Sequence, residues 1–276
     1  MKTINEFLNE KGLGFIPAIE PVFLSNGSPV EGYQRIFNPD NPMSTFAITK
    51  PGYTPVAHSE AFAIAEPLLN DGLGTISRIK SYHDGSYAMV HIRLSGGEHE
   101  VRRGDPVVKE IVISNGIDYI HGVRAWFNVE RLVCTNGLVA ISRDNSRNIR
   151  HTPTVYERIV DASVIYRQAI QWFDDFYEKI NLLANKPMSD AIMAQVRRQI
   201  VKDKDSTRAI NQWNKILDLF EHGKGNNGQT CWDMYNGITE WTDHFAGRPG
   251  THELAALEGV NGRLKDDVFE LLLKAA

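Results

Sequence analysis

The pattern of the sequence changes at Arg131-Leu132-Val133-Cys134-Thr135-Asn136-Gly137-Leu138, and Arg147-Asn148-Ile149-Arg150-His151-Thr152 follows after a short gap. The Asn136-Gly137 pair is typical of a tight turn, and the stretch also carries a cysteine and spaced arginines. It lies where strand-like alternation of apolar and polar residues gives way to helical spacing. No pattern typical of catalysis occurs there or elsewhere, so the sequence predicts a protein that is not an enzyme.

The half of the chain before this stretch is predicted to be rich in strands. This strand-rich half covers residues 46–152. From 75 to 141 the apolar residues recur with a period of two, and turn-forming segments such as His83-Asp84-Gly85-Ser86 and Asn115-Gly116 separate the runs. Runs of this spacing favour an antiparallel meander. The predicted strands cover residues 76–82, 87–94, 107–114 and 120–129.

The segments on either side of this half differ from it. Five prolines punctuate residues 1–45, which are predicted to be an irregular segment of loops, short strands and one small helix. Residues 153–276 have apolar positions at steps of three or four, with the helix-capping residues Ser189 and Thr230 at predicted helix starts. The predicted class is therefore α+β, with an antiparallel β-meander in the N-terminal half followed by a mostly helical C-terminal half. We expect these segments to form one integrated domain.

Bulk composition limits the classes of function. The 276 residues carry a formal net charge of −4, so any binding of nucleic acid must rely on a local basic surface. The two cysteines, Cys134 and Cys231, do not make a disulfide framework and favour a reducing compartment. The N-terminal residues lack an apolar signal core, and no apolar run reaches the roughly 20 residues that a membrane helix needs. The sequence therefore predicts a cytoplasmic protein without a membrane segment.

A net-positive segment around the quoted stretch is the strongest indication of function. Arginine forks bind phosphate groups bidentately, and Arg147 and Arg150 precede a predicted helix start whose free N–H groups also favour anions. Cations on the preceding strands extend this segment. The residues predicted to bind nucleic acid are Lys80, Arg102, Arg103, Arg124, Arg131, Asn136, Arg143, Arg147, Arg150 and His151.

These features also have structural interpretations. Several of the arginines can instead pair with nearby acids and stabilise the fold, and the sequence does not choose between the two roles. Gly223-Lys224-Gly225-Asn226-Asn227-Gly228 matches a dinucleotide-binding pattern, but it follows a predicted helix, so we interpret it as a helix connection before the cap Thr230. Cys134 lies between apolar residues and is interpreted as a structural thiol. No metal-ligand spacing is present, and neither a metal nor a cofactor is predicted.

The quoted stretch, followed by Arg150-His151-Thr152 and a long helix, resembles the phage/plasmid-like proteins grouped as domain of unknown function nine-three-two. Tyr53-Thr54-Pro55-Val56 and Gly104-Asp105 resemble the early and middle segments of that family. Thr230-Cys231-Trp232-Asp233, with His244 downstream, resembles its late segment. The resemblance covers residues 45–270 and keeps the order of the elements.

The resemblance implies a phage-type accessory protein of DNA metabolism, with a distant similarity to single-strand annealing recombinases. Those proteins assemble as rings and hold a strand in a basic groove. We therefore expect a non-enzymatic, homo-oligomeric protein in the host cytoplasm that binds or anneals single-stranded DNA during replication or recombination. The alternative is a phage accessory protein that binds a host protein, such as a defence inhibitor or a transcription factor. The preference between DNA and RNA stays open.

Overall fold

The structure, a computed structural model, describes residues 3–134, 136–138, 146–162, 165–201, 206–246 and 252–276. The first elements along the chain are α1 (Ile4–Glu10), β1 (Ala18–Phe23), β2 (Pro29–Asn38), β3 (Asn41–Thr49), α2 (His58–Phe62), α3 (Glu66–Asn70) and β4 (Gly74–Tyr82). Strands β5 (Tyr87–Arg102), β6 (Asp105–Gly116), β7 (Val123–Arg131), β8 (Asn136–Gly137) and β9 (Ser146–Ile149) follow. The remaining elements are α4 (Val155–Ala162), α5 (Ile165–Asn185), α6 (Asp190–Ile200), α7 (Thr207–His222), α8 (Cys231–His244), α9 (His252–Glu258) and α10 (Val260–Ala275).

The order of these elements confirms the predicted α+β class. An antiparallel, strand-rich half precedes a helical half, as the change of period near Arg131 indicates. The larger sheet has the strand order β4-β5-β6-β7-β8, with β9 beside β7. Strands β5, β6 and β7 follow one another in the chain and in the sheet, so the meander prediction is confirmed.

The N-terminal segment that was predicted to be irregular is largely regular. It contains α1, and β1, β2 and β3 form an antiparallel sheet of their own. The predicted small helix and strands are present, and the prolines are compatible with them because they occupy strand positions that tolerate the loss of an N–H. Pro21 and Pro42 lie in the edge strands β1 and β3, and Pro29 is the first residue of β2.

The prediction of a tight turn at Asn136-Gly137 was wrong. Asn136 pairs with Arg131 and Gly137 pairs with Glu130 in the β7–β8 ladder, so the chain reverses in the residues between Arg131 and Asn136. The Asn115-Gly116 turn is likewise displaced, because β6 continues to Gly116. Turn residues with short side chains also fit extended backbone, and the ladder hydrogen bonds decide between the two.

Helix starts agree well with their predicted caps. The Ser189 side chain accepts a hydrogen bond from the Ile192 N–H at the start of α6, and Thr230 forms a capping box with Asp233 at the start of α8. The predicted long helix after Pro153 corresponds to α4 and α5. No helix in the described ranges has the length and the apolar character to cross a membrane.

Contacts divide the chain into two compact units, each built from separated segments, where one integrated domain of sequential segments was expected. The first unit comprises residues 1–95, 111–126 and 146–168, and the second comprises 96–110, 127–145 and 169–276. Strands β5 and β6 are longer than predicted, and β5, β6 and β7 each contribute residues to both units.

An aromatic chain forms much of the core of the second unit. Phe127 on β7 lies 5.6 Å from Phe173 on α5, measured between ring centroids, and Phe176 stacks on Phe269 of α10 at 5.2 Å. Tyr235 of α8 continues the chain at 4.9 Å from Phe269. Aromatic pairs at these distances stabilise a core beyond their area alone. These aromatic contacts therefore hold β7, α5, α8 and α10 together within that unit.

Candidate functional site

The residues predicted to bind phosphate lie in very different surroundings. Lys80, Arg103, Arg147 and Arg150 are exposed, and Arg102 and Arg124 are half-buried. Arg131 and His151 are buried. Arg143 lies outside the described residues, and the side chain of Asn136 does as well, so those two predictions stay open. The buried pair requires a different interpretation.

Arg131 is a structural cation in the second unit. Its Nε donates to Asp105 Oδ1 at 2.5 Å and its Nη2 donates to Asp105 Oδ2 at 2.8 Å, which is a bidentate pair. The indole N–H of Trp232 donates to the same carboxylate at 2.9 Å. Burial alone would lower the pKa of Arg131, but the hydrogen bonds to Asp105 outweigh it and raise that pKa. The side chain has no exposed surface, so Arg131 is withdrawn from the predicted phosphate contacts.

The glycine-rich loop between α7 and α8 closes over this arginine. Arg131 Nη1 donates to the Lys224 carbonyl and to Asn226 Oδ1, each at 3.0 Å. Gly225 adopts a φ of +71°, and a Cβ there would lie 2.8 Å from Arg131 Nη2. The loop therefore serves as a helix connection whose glycine leaves room for a guanidinium, in agreement with the prediction that rejected a phosphate loop.

Arg102 is also used inside the second unit. It forms an ion pair with Asp233 and donates to the Gly225 carbonyl, and its Nε lies 3.5 Å from Asp105 Oδ2. Asp233 Oδ2 accepts from the Thr230 N–H at 3.0 Å. Burial alone would raise the pKa of Asp233, but Arg102 and the backbone N–H groups outweigh it and lower that pKa. Arg102 therefore stabilises the start of α8, which corrects its predicted role.

Cys134 belongs to the same cluster. Its sulfur lies 3.8 Å from Arg131 Nη1, its carbonyl oxygen lies 3.3 Å from His244 Nε2, and it is 4% exposed. This burial confirms that the thiol is part of the interior. Among the described residues, no three His, Cys, Asp or Glu side chains gather as a metal site.

His151 belongs to a buried polar chain in the first unit. Its Nε2 donates to Asn115 Oδ1 at 3.0 Å, and its Nδ1 lies 2.9 Å from the Tyr53 hydroxyl. The other end of Asn115 reaches His58, whose Nδ1 lies 3.1 Å from Asn115 Nδ2. His58 Nε2 in turn lies 2.9 Å from the Gly85 carbonyl. Four side chains from three separate parts of the sequence therefore form one hydrogen-bonded line.

Two backbone carbonyls fix the direction of every proton in this line. A carbonyl oxygen only accepts, so His58 Nε2 carries a proton, its Nδ1 accepts, and the Asn115 amide must donate to it. The Val56 carbonyl, 2.9 Å from Asn115 Nδ2, fixes the same amide orientation. His151 Nε2 then donates to Asn115, and Tyr53 donates to His151 Nδ1. All four groups are neutral in this arrangement, and aligned hydrogen bonds strengthen one another.

Burial keeps both imidazoles uncharged. It lowers the pKa of His58 to about 4 and the pKa of His151 to about 4. Burial also raises the pKa of Tyr53 above its usual value, so its hydroxyl keeps its proton. His151 therefore stabilises the first unit as a neutral group. It is withdrawn from the predicted phosphate contacts because it is neither charged nor exposed.

A cationic ribbon remains on the strands of the first unit. In the β4–β5 ladder Arg78 lies opposite His91, Lys80 opposite Met89 and Thr75 opposite Arg93. Arg78 Nη2 donates to His91 Nδ1 at 3.1 Å. Residues two apart on a strand share a face, so Arg78, Lys80 and Arg93 lie on one face of this ribbon.

The strand charges differ sharply between the two units. Strand residues of the larger sheet that belong to the first unit include five Arg or Lys and no Asp or Glu. Those that belong to the second unit include three Arg or Lys and five Asp or Glu. The five cations are Arg78, Lys80, Arg93, Arg124 and Arg147. Like charges on paired strands destabilise a sheet unless they are compensated, so this excess favours contact with anions.

The five cations do not form one continuous track. Arg124 lies opposite Asn148 in the β7–β9 ladder, whereas Arg147 lies opposite Ala125, so these two arginines point to opposite faces. The sequence prediction also omitted Arg78 and Arg93. Their period-two spacing with Lys80 and His91 was the signal that could have identified them, because it places them on one face of a predicted hairpin.

Comparison with known proteins identified one family. Its model, described as Domain of unknown function (DUF932), matches residues 46–259. No curated protein and no solved structure matches the chain.

Proposed function

We propose that this chain, which belongs to the DUF932 family of domains of unknown function, binds single-stranded nucleic acid through the cationic strands of its first unit. The observation that carries the proposal is the separation of charge along the larger sheet. Five cations and no carboxylates occupy its strands in the first unit, within a chain of net charge −4. Such a binding protein would act in replication or recombination of phage DNA, by holding or annealing a strand without catalysis.

Phosphate is the anion that this arrangement fits best. Arg78, Lys80 and Arg93 share one face of a two-stranded ribbon, where residues two apart lie about 7 Å from each other. Lys80 is exposed on this face, and Arg78 and Arg93 are half-buried. A row of cations of this kind follows the backbone of a strand and does not select a single compact ligand. Each cation also makes contacts within the protein, so the proposal rests on their common sign and placement.

Salt dependence tests the proposal most directly. Binding of a fluorescent single-stranded oligonucleotide is measured by anisotropy between 50 and 200 mM salt, with DNA and RNA compared. Each phosphate contact contributes about 0.7 to the slope of log affinity against log salt for a single strand. Changing exposed Lys80 and Arg147 together to glutamine should therefore weaken binding and reduce the slope by about 1.4.

A matched control separates a local contact from a general charge effect. Arg197 and Arg198 are exposed on α6 in the second unit, and their double change to glutamine removes the same charge. This control should leave affinity and slope close to those of the unchanged protein. Equal weakening in both double variants, or no binding at micromolar protein and 50 mM salt, would overturn the proposal.

A second candidate, binding of a host protein, is favoured by the N-terminal sheet. Met43 is 91% exposed, and Phe23 and Ile48 are each more than half exposed. Most of this sheet precedes residue 46, where the family match begins. Exposed apolar groups on a sheet favour a protein partner. Capture of a host protein that is lost when Phe23 and Met43 become serine, without loss of oligonucleotide binding, would support this candidate.

A further inference from the structure

A polar and aromatic groove lies in the second unit, apart from the residues that carry the proposed function. It has a volume of about 680 Å³, within the range of small-molecule sites. Residues from α7, α8, α9 and α10 surround it. The lining comprises Arg208, Asn211, Gln212, Lys215, Trp241, Phe245, Ala246, Ala255, Val260 and Asn261.

Helical spacing explains why these side chains converge. Arg208, Asn211 and Lys215 are three and four residues apart on α7, so they share one face. Trp241 and Phe245 are four residues apart at the end of α8 and form the aromatic part of the groove. Phe245 is 49% exposed, and the Lys215 ammonium lies over its ring. The exposed part of the ring is open to a ligand.

The charge in the groove is positive. The lining residues that the structure describes include two cations, Arg208 and Lys215, and no carboxylate. The Lys215 ammonium lies 4.8 Å from the centroid of the Phe245 ring and 2.9 Å from Asp218, in an exposed ion pair. Exposed ion pairs are weak, so Lys215 can exchange Asp218 for a stronger anion. Arg208 makes no ion pair with any residue in the described part of the chain.

Three amide side chains supply hydrogen-bonding groups between the cations and the rings. They are Asn211, Gln212 and Asn261. The Asn261 amide donates to the Ala246 carbonyl at 3.3 Å, which uses a donor and leaves the amide oxygen as an acceptor. Carboxamides offer both a donor and an acceptor, and this combination matches the edges of nucleobases.

We propose that this groove binds a nucleoside phosphate, as a free nucleotide or as one unit of a strand. The base would stack on Phe245 and Trp241, and the amides would bond to its edge. The phosphate would lie against Arg208 and Lys215. Anionic charge, a planar ring and hydrogen-bonding edges occur together in this ligand class, and the groove has a counterpart for each of them. The site is independent of the cationic strands, so either proposal can fail alone.

The test compares the parts of the ligand. Adenosine monophosphate, adenosine and ribose 5-phosphate are titrated separately by calorimetry, and a labelled oligonucleotide is titrated by anisotropy. Changing Phe245 to alanine should weaken the binding of both the monophosphate and adenosine by at least about fivefold, because a stacking ring is lost. Changing Arg208 to glutamine should weaken the monophosphate by about tenfold and leave adenosine unchanged, because only the phosphate contact is lost.

Control variants keep the outcome clear. Ile210 is 42% exposed on α7, the helix that carries Arg208, and it is not among the residues that line the groove. Its change to alanine should therefore alter the binding of neither adenosine nor the monophosphate. Phe245→Leu keeps apolar packing and lacks the ring, so it replaces the alanine variant if that one does not fold.

The two sources of the ligand give different results. If the source is a strand, the monophosphate binds weakly, and the Phe245 and Arg208 variants weaken the oligonucleotide beyond the Arg197/Arg198 control. If the source is a free nucleotide, the monophosphate binds and the Lys80/Arg147 variant leaves it unchanged. Absence of binding by the monophosphate at millimolar concentration together with no effect of Phe245 on the oligonucleotide would overturn the inference. Binding that is insensitive to both Phe245 and Arg208 would do the same.

Discussion

Arg131 carries a positive charge into the interior of the second unit, and its surroundings determine whether that charge stabilises the fold. The guanidinium meets both oxygens of Asp105, the Lys224 carbonyl and Asn226. A buried ion pair contributes little over an apolar pair of the same size, but a buried charge without its partner is strongly destabilising. Asp105 also accepts from Trp232, so it is the residue on which the cluster depends.

We expect Asp105→Asn to lower the free energy of unfolding by about 3 kcal/mol, because Arg131 would lose its counter-ion in the interior. Urea unfolding measures the change. Asp174→Asn is the control, since Asp174 pairs with Lys109 at 3.4 Å and is mostly exposed, and it should cost about 0.5 kcal/mol. Combining Asp105→Asn with Arg131→Met should restore part of the loss; strictly additive effects would contradict the pairing.

At the scale of elements, the connection between α7 and α8 depends on Arg131 as much as on its own residues. Gly225 needs its positive φ, and it also needs the absence of a side chain beside the guanidinium. Gly104, in the β5–β6 turn of the same unit, has a φ of +79°, but a Cβ at that position would meet no atom within 4 Å. Substitutions at these two glycines therefore distinguish the cost of a side chain at positive φ from the cost of a steric contact.

Gly104→Ala should cost only the strain of a left-handed alanine, about 1 kcal/mol. Gly225→Ala should cost the same strain and, in addition, the displacement of the Arg131 guanidinium, for a total of about 3 kcal/mol. Urea midpoints of the two variants give the comparison. Equal losses would mean that Arg131 moves aside without cost, which would contradict the tight closure of the loop.

Features that depend on neighbouring residues, such as helix caps, were predicted from the sequence, whereas contacts between residues far apart in the sequence were not. Ser189 and Thr230 cap helices because a cap uses residues within three positions of each other, which the sequence displays directly. Asn136-Gly137 was misjudged because the β7–β8 ladder outweighs the turn preference of the pair. Asp105 and Trp232 are 127 positions apart in the sequence, and no spacing rule connects them. The role of Arg131 could therefore not be read from the sequence.

The candidate interface of the whole molecule was also predicted only in part. The sequence placed Lys80 and Arg124 on strands, and the structure keeps them there, whereas Arg147, which was predicted only to precede a helix, lies on β9. It could not show which cations a strand ladder brings opposite each other, or which ones become buried. The overall net charge of −4 concealed the excess of positive charge, because most of the 34 carboxylates of the chain lie outside the strands of the larger sheet.

Stability of the whole molecule should fall as the pH is lowered from 6.5 to 4. The folded protein keeps His58 and His151 neutral, with pKa values of about 4, so the unfolded chain binds more protons in this window. The loss should reach roughly 3 kcal/mol for each histidine and be complete near pH 4. Asp233, whose pKa is lowered, loses its contribution only at more acidic pH. Urea unfolding at a series of pH values measures this slope.

Asn115→Asp tests whether the hydrogen-bonded line is the source of this dependence. A carboxylate between the two imidazoles would favour their charged forms and raise the pKa of each, because opposite charges attract in a buried site. The loss of stability between pH 6.5 and 4 should then shrink, whatever the stability at neutral pH. His222 is 73% exposed, and His222→Gln should leave the slope unchanged. An unaltered slope in Asn115→Asp would place the acid sensitivity elsewhere, because the new carboxylate faces both histidines.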